Sequence, residues 1–169
     1  MKIFLICFRA YIKLPGFSNK KSNTIKCHEI VILTNNPLLV QLSSNSQWFL
    51  DATFKIAPKD FSQVLNIIVY NPRLRLYIPT CFILMSNKTE SSYTMALECL
   101  KQIALSLKLS LSPTPVMSDF ELALRNGIKN SFPNAQISGC YFHYTKCLWN
   151  KISKLGLRTK ELKEKSNVL

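Results

Sequence analysis

The chain has 169 residues, of which 47% are hydrophobic and 18% charged, a balance typical of one globular domain with a substantial core. Twenty-two lysines and arginines against nine acidic residues give a net charge of +13, which predicts attraction to nucleic acid, although acidic membrane surfaces also attract basic proteins. No apolar run approaches the roughly 20 residues that span a bilayer, so the composition argues against an integral membrane protein.

The cysteines and the first residues favour an intracellular protein. The six cysteines lack the dense, regular spacing of a secreted disulfide scaffold, so we predict that they are reduced. The apolar stretch at residues 3–8 is shorter than a typical signal-peptide core, and Arg9 follows it instead of a small-residue cleavage site. We therefore expect a protein that is not secreted.

A loop-like segment separates the first residues from the rest of the chain. Residues 14–26 are rich in proline, glycine, serine, asparagine and lysine, which is linker composition. We therefore predict an N-terminal extension over residues 1–26, one domain over residues 27–157 and a charged tail over residues 158–169.

Four strand-like runs and one short helix follow the linker. The predicted helix starts with the run Asn35-Asn36-Pro37, which is typical of helix N-termini. Short turns join the last three strands, which favours an antiparallel meander. The predicted strands cover residues 29–34, 47–55, 63–70 and 76–84, and the helix covers residues 35–44.

Beyond Asn87 the apolar period changes from two to about 3.6, which predicts a long helix with Thr89 as its N-cap. Strands and helices then alternate, with proline residues ending several of them. They are expected at residues 116–118, 120–132, 135–140 and 141–155. A meander followed by helix, strand, helix, strand and helix is the element order of a ribonuclease-H-like α/β domain.

Two aspartates lie at positions where the sequence pattern suggests a specific role for the carboxylate. Asp51 lies within an otherwise apolar strand, so it either faces water on an edge strand or binds a cation. Asp119 follows a short strand and precedes a helix, so it either caps the helix or belongs to a site at the strand end. On neighbouring strands, the two would form an oxygen site suited to Mg²⁺ or Mn²⁺.

Cys140, His143 and Cys147 have the spacing of residues along one helix face, within reach of a single Zn²⁺ ion. The alternative is that the cysteines are small buried hydrophobic residues and that His143 is hydrogen-bonded at a helix start. Cys27 and His28 could in principle complete a zinc site, but adjacent residues chelate one metal poorly.

Two classes of enzyme find no support in the sequence. The four glycines are not grouped, so the chain lacks the glycine-rich phosphate loop of P-loop kinases and ATPases. A nucleophilic enzyme using Cys140 and His143 lacks an evident acid to orient the histidine.

Three segments, in this order and spacing, resemble the catalytic domain of Mutator-like element (MULE) transposases. They read WFLDATFK at residues 48–55 followed by Ala57-Pro58, MSDFE at residues 117–121, and GCYFH at residues 139–143 continuing to Leu148-Trp149. The stretch LMSNKTESSY at residues 84–93 is similar to the family's link between the third strand and the first long helix. The resemblance therefore covers roughly residues 29–157.

The resemblance implies a ribonuclease-H-like α/β fold with a mixed sheet, and two divalent cations that serve DNA strand cleavage and transfer. It marks Asp51 and Asp119 as the first two metal-binding acids; Ala52 replaces the family's usual glycine after the first acid. The metals would activate a water or a 3′ hydroxyl and stabilise the phosphate charge. Cys140 and His143 match the family's Cys-x-x-His pair, for which we favour a local structural role.

The resemblance also implies DNA as the partner and a nuclear location, and it leaves open a homo-oligomer. The family places its third acid, a glutamate, well beyond the Cys-x-x-His pair, after a helical insertion that this sequence lacks. Glu161 and Glu164 are the only carboxylates after Glu121 and lie in a run typical of a solvated helix face. We therefore expect a C-terminally truncated domain, inactive alone. The alternative is a domesticated DNA- or protein-binding module.

Overall fold

The computed structural model describes residues 10–14, 28–53 and 56–157. Most of the predicted linker, Cys27, and the charged tail with Glu161 and Glu164 lie outside these residues, and the division of the chain into extension, domain and tail stays a prediction. The described part is an α/β structure with one mixed sheet. None of its helices is both long and apolar enough to cross a membrane.

The elements follow the predicted order from residue 28 onward. The strands are β1 Ala10–Leu14, β2 His28–Leu33, β3 Trp48–Thr53, β4 Gln63–Asn71, β5 Leu76–Met85, β6 Pro115–Ser118 and β7 Gln136–Gly139. The helices are α1 Asn36–Ser43, α2 Glu90–Ser106, α3 Leu122–Ser131 and α4 Tyr141–Lys154. Strand β1 was not predicted; it pairs antiparallel with β2 at one edge of the sheet.

The sheet has the strand order β1-β2-β5-β4-β3-β6-β7. Strands β3, β4 and β5 pair antiparallel, which confirms the predicted meander. Strand β6 pairs parallel with β3, and β7 pairs parallel with β6. A parallel pairing needs a crossover connection, and α2 lies in the one between β5 and β6. Strand β3 therefore lies in the interior of the sheet.

The core lies on one face of the sheet. In β3, Trp48, Leu50 and Ala52 are buried, and the alternating residues of the other face are half-buried. The buried face packs against α1, α2 and α3 in one continuous hydrophobic cluster. Helix α4 contributes no buried residue to it. The face that carries Asp51 is thus the less covered of the two within the described residues.

Local capping explains where the first two helices begin. The Asn35 side chain accepts a hydrogen bond from the Leu38 N–H at 2.9 Å, and Thr89 accepts one from the Ser92 N–H at 3.2 Å. Both side chains satisfy a backbone donor that the first helical turn leaves unpaired. The predicted start of α1 and the predicted cap of α2 are confirmed.

Candidate functional site

Asp51 lies in the second half of β3, and Asp119 directly follows the neighbouring parallel strand β6. Strands β3 and β6 pair with Phe49 opposite Met117. Continuing this register by two residues brings Asp51 on β3 level with Asp119, the residue that follows β6. Ligands of open α/β sheets bind at the carboxyl ends of parallel strands. The extrapolated register therefore puts the two predicted acids at matching positions on neighbouring strands.

Asp51 is half-buried and contacts a histidine from α4. Its strand is interior, so the alternative that places Asp51 on an edge strand is wrong. The Asp51 side chain is 41% exposed, and its Oδ1 lies 3.7 Å from Nε2 of His143. At this exposure the carboxylate keeps some hydration while one side faces the imidazole. His143 thus ties α4 to the less covered face of the sheet.

Asp119 shapes the turn before α3 without capping the helix. The helix begins at Leu122 with Glu121 as its N-cap, so both the predicted start at residue 120 and the alternative of Asp119 as the N-cap are wrong by two positions. Asp119 Oδ1 instead accepts a hydrogen bond from the Glu121 backbone N–H at 3.1 Å. An aspartate that bonds the backbone two residues on closes a turn, which leaves its second oxygen available to a ligand.

A polar network behind Asp119 was not predicted. The Tyr93 hydroxyl lies 2.9 Å from Gln63 Oε1 and 3.0 Å from Glu121 Oε2; because it carries one proton, it donates to one acceptor at a time. Gln63 and Tyr93 are fully buried. Burial raises the pKa of Tyr93 well above its ordinary value, the hydrogen bond with Gln63 lowers it less, and the charge of Glu121 raises it further. The network connects β4 and α2 with the turn that carries Asp119.

Asn66 on β4 is a second polar residue that sequence reasoning missed. It lies directly opposite Asp51 in the β3–β4 ladder, where side chains of one sheet face are neighbours. Asn66 Oδ1 and His143 Nδ1 are buried and have no hydrogen-bond partner among the described residues. An unpaired buried polar atom costs about 1–3 kcal/mol. Two such atoms near Asp51 therefore indicate a place where a ligand would supply the missing contacts.

The donor set fits a hard divalent cation. Asp51 and Asp119 supply carboxylate oxygens, and the Asn66 amide oxygen adds a neutral donor next to Asp51; Mg²⁺ and Mn²⁺ prefer such ligands. Within the described ranges, no three or more His, Cys, Asp or Glu side chains lie close enough together to hold a metal ion. The described site therefore has two carboxylates and no third.

The three residues considered for zinc do not assemble. Cys140 is the N-cap of α4, Cys147 is exposed, and His143 is directed to Asp51. They form no metal-holding group in the described part of the chain. Helix α4 begins at Tyr141, as predicted, with Cys140 as its N-cap. Zinc binding stays a prediction.

Comparison with known families identifies the domain. The family model for the MULE transposase domain matches residues 47–147, a range that spans more than half of the chain and contains Asp51, Asp119, Cys140 and His143. The chain therefore belongs to the MULE transposase domain family. Membership supports a transposase-related function and implies interaction with DNA. No curated protein matches the chain.

Proposed function

We propose that this chain carries the strand-cleavage and strand-transfer site of a MULE transposase, with Mg²⁺ or Mn²⁺ held by Asp51 and Asp119. The observation that supports the proposal is the parallel register of β3 and β6, which, if continued by two residues, puts Asp51 and Asp119 at matching positions on neighbouring strands. When bound, the cation would polarise a phosphate oxygen and lower the pKa of an attacking water or 3′ hydroxyl.

The neighbouring residues would orient these two acids. His143 contacts Asp51 from α4 and limits the positions its carboxylate can take. The Glu121 backbone N–H holds one Asp119 oxygen, and Tyr93 anchors Glu121 in turn. Productive chemistry requires ligands fixed within about 0.5 Å, and these contacts come from three different elements. The net charge of +13 would attract the DNA backbone.

A ribonuclease-H-like fold is part of the same proposal. Its support is the element order, in which the meander β3-β4-β5 is followed by α2, β6, α3, β7 and α4. The parallel strands β6 and β7 extend the sheet from β3, the first strand of the meander. This arrangement brings the residue after β6 to the strand that carries the first acid.

We also propose that this chain by itself cleaves DNA poorly. Two-metal displacement requires two cations that clamp the attacking and the leaving oxygen. The described site offers two carboxylates, too few to hold such a pair firmly. We expect one cation site and weak or absent cleavage, with DNA binding retained.

The test is a calorimetric Mn²⁺ titration of the purified chain and of Asp51→Asn and Asp119→Asn. Each substitution removes the charge and keeps the shape, so each should weaken Mn²⁺ binding at least roughly tenfold. Asp60→Asn is the matched control, because Asp60 is an exposed carboxylate in the turn between β3 and β4 and its loss should leave Mn²⁺ affinity unchanged.

Absence of Mn²⁺ binding by the folded wild-type chain would overturn the cation site. The chain would then be a basic interaction module, in which lysine and arginine substitutions abolish DNA binding while Asp51→Asn and Asp119→Asn have no effect. Equal loss of Mn²⁺ binding in the Asp60→Asn control would indicate non-specific attraction and would contradict the proposal too.

A further inference from the structure

Helix α4 and the turn before α3 expose four aromatic side chains in one region. Tyr141, Phe142 and Tyr144 are 75%, 57% and 54% exposed, and Phe120 is 52% exposed. The rings of Phe120 and Tyr144 pack with centroids 6.5 Å apart, which joins the turn to the helix. We call these four residues the aromatic rim. Clusters of exposed aromatic side chains often mark interaction surfaces.

The aromatic rim borders the two acids. Phe120 directly follows Asp119 in the chain, and Phe142 and Tyr144 flank His143, whose Nε2 lies 3.7 Å from Asp51 Oδ1. Gly139 makes room for this arrangement, because a Cβ at that position would collide with the Phe120 ring. Rim residues are therefore chain neighbours of Asp119 and of the histidine that contacts Asp51.

The charged residues of α4, the helix that carries three of the four rim residues, are all positive. Helix α4 carries Lys146, Lys151 and Lys154 and no acidic residue. Lys146 Nζ lies 5.9 Å from the centre of the Phe142 ring. In the described part of the chain, no carboxylate lies within ion-pair distance of these three lysines. The surface thus combines flat aromatic groups with unpaired positive charge, which complements a polyanion that carries flat groups of its own.

We propose that the aromatic rim stacks against unpaired bases of a DNA strand whose phosphates contact the lysines of α4. Base stacking on aromatic side chains combined with a basic track is the physical basis of single-strand binding, and a duplex hides the base faces that such stacking needs. A second copy of the chain or an apolar protein partner would gain nothing from the lysines. That the bound strand lies next to a reaction centre rests on the proposed function. The binding of a single strand to the rim does not.

The experiment compares a fluorescent single strand with a duplex of the same length by anisotropy, in EDTA. The double variant Tyr141→Ala/Tyr144→Ala should bind the single strand at least about tenfold more weakly and the duplex less than about threefold more weakly, because only unpaired bases stack on the rim. Tyr141→Phe/Tyr144→Phe keeps the rings and should restore single-strand binding.

The β4–β5 hairpin offers a matched control. Tyr77 is 63% exposed, close to the exposure of the rim tyrosines, and lies opposite Tyr70 at the hairpin end of the ladder. Tyr77→Ala should change single-strand affinity by less than about twofold. Lys146→Ala/Lys151→Ala should weaken single-strand and duplex binding alike and lower the salt slope by about 1 per lysine, whereas Arg73→Ala in the hairpin turn should not.

Three results would overturn the proposal. Unchanged single-strand binding in the tyrosine double variant, or equal losses for single strand and duplex, would exclude base stacking. A dimer in solution that this variant dissociates without any change in DNA affinity would instead assign the rim to a contact between copies. Because the measurement contains no divalent cation, failure of the Asp51 and Asp119 site leaves its outcome intact.

Discussion

At the scale of single residues, Tyr93 connects the core to the candidate site. Its ring is buried in the hydrophobic cluster of α2, and its hydroxyl lies within hydrogen-bond distance of both Gln63 and Glu121. Removing the hydroxyl keeps the packing of the ring in the core but deprives the Gln63 and Glu121 side-chain oxygens of this donor. Tyr93→Phe therefore separates the role of the network from the role of the core.

We expect Tyr93→Phe to lower the free energy of unfolding by about 0.5–1.5 kcal/mol at pH 8. The pKa of Tyr93 is raised by burial above its ordinary value of 10, so above pH 10 the unfolded chain releases this proton first and the wild-type chain loses stability as pH rises. The difference between wild type and variant should therefore shrink between pH 8 and pH 11. Urea unfolding at a series of pH values measures it, and a constant difference would contradict the burial account.

The sequence allows the two aspartates to be predicted, but not their partners. Asp51 stands out because a carboxylate interrupts an apolar run, and Asp119 because it falls between a strand and a helix. Asn66 and Gln63 do not stand out, since a single polar residue in a strand is usually on its wet side. The structure shows what the sequence does not. Asn66 lies opposite Asp51 in the β3–β4 ladder, and Gln63 lies within hydrogen-bond distance of Tyr93 from α2.

At the scale of elements, the approach of α3 to α2 depends on Gly127. A Cβ at this position would lie 2.6 Å from Tyr93 Cβ, closer than real Cβ atoms are found, and 3.1 Å from the Thr94 backbone nitrogen, tighter than most real Cβ contacts. Glycine here lets the two helices pack with their backbones close together. The same contact helps to fix Tyr93, and through it Glu121.

Gly127→Ala should destabilise the chain by about 1–3 kcal/mol, because the methyl group forces α2 and α3 apart. The change raises helix propensity by about 1 kcal/mol, so a purely local helix would become more stable. Leu122→Ala in the same helix is the control: Leu122 is exposed, and its loss should stay within about 0.5 kcal/mol. Chemical denaturation measures both, and stabilisation by Gly127→Ala would contradict the observed packing.

Helices were more predictable than short strands. Helix α2 follows from its 3.6-residue apolar period and from Thr89, both of which are local signals. Strand β1 has five residues, and nothing local marks it as part of the sheet; its pairing with β2 across residues 15–27 is what makes it a strand. Helix α4 likewise begins at Tyr141, as the sequence predicted.

At the scale of the whole molecule, the two faces of the sheet have different roles. One face packs against α1, α2 and α3 and forms the core. The other carries Asp51 and Asn66 and receives His143 from α4, a helix with no buried residue. Stability and the candidate site are thus largely separated across the sheet, although the network through Tyr93 crosses between them.

The element order could be predicted from the sequence, whereas the pairing that assembles the site could not. Local periodicity and turn residues predicted each strand and helix from β2 onward. Nothing local states that β6 returns across α2 to lie beside β3 and not beside β5; the pairing depends on how the long helix packs over the sheet. The nuclear location and a homo-oligomer likewise remain predictions of the sequence.

Anomalous diffraction from crystals grown with Mn²⁺ would test the central claim most directly. We predict an anomalous peak about 2.0–2.2 Å from one oxygen of Asp51 and one of Asp119, with the Asn66 amide oxygen nearby. Either of two results would contradict the assignment of the two acids as cation ligands. One is an anomalous peak at Cys140, His143 and Cys147, and the other is the absence of any peak in crystals grown with excess Mn²⁺.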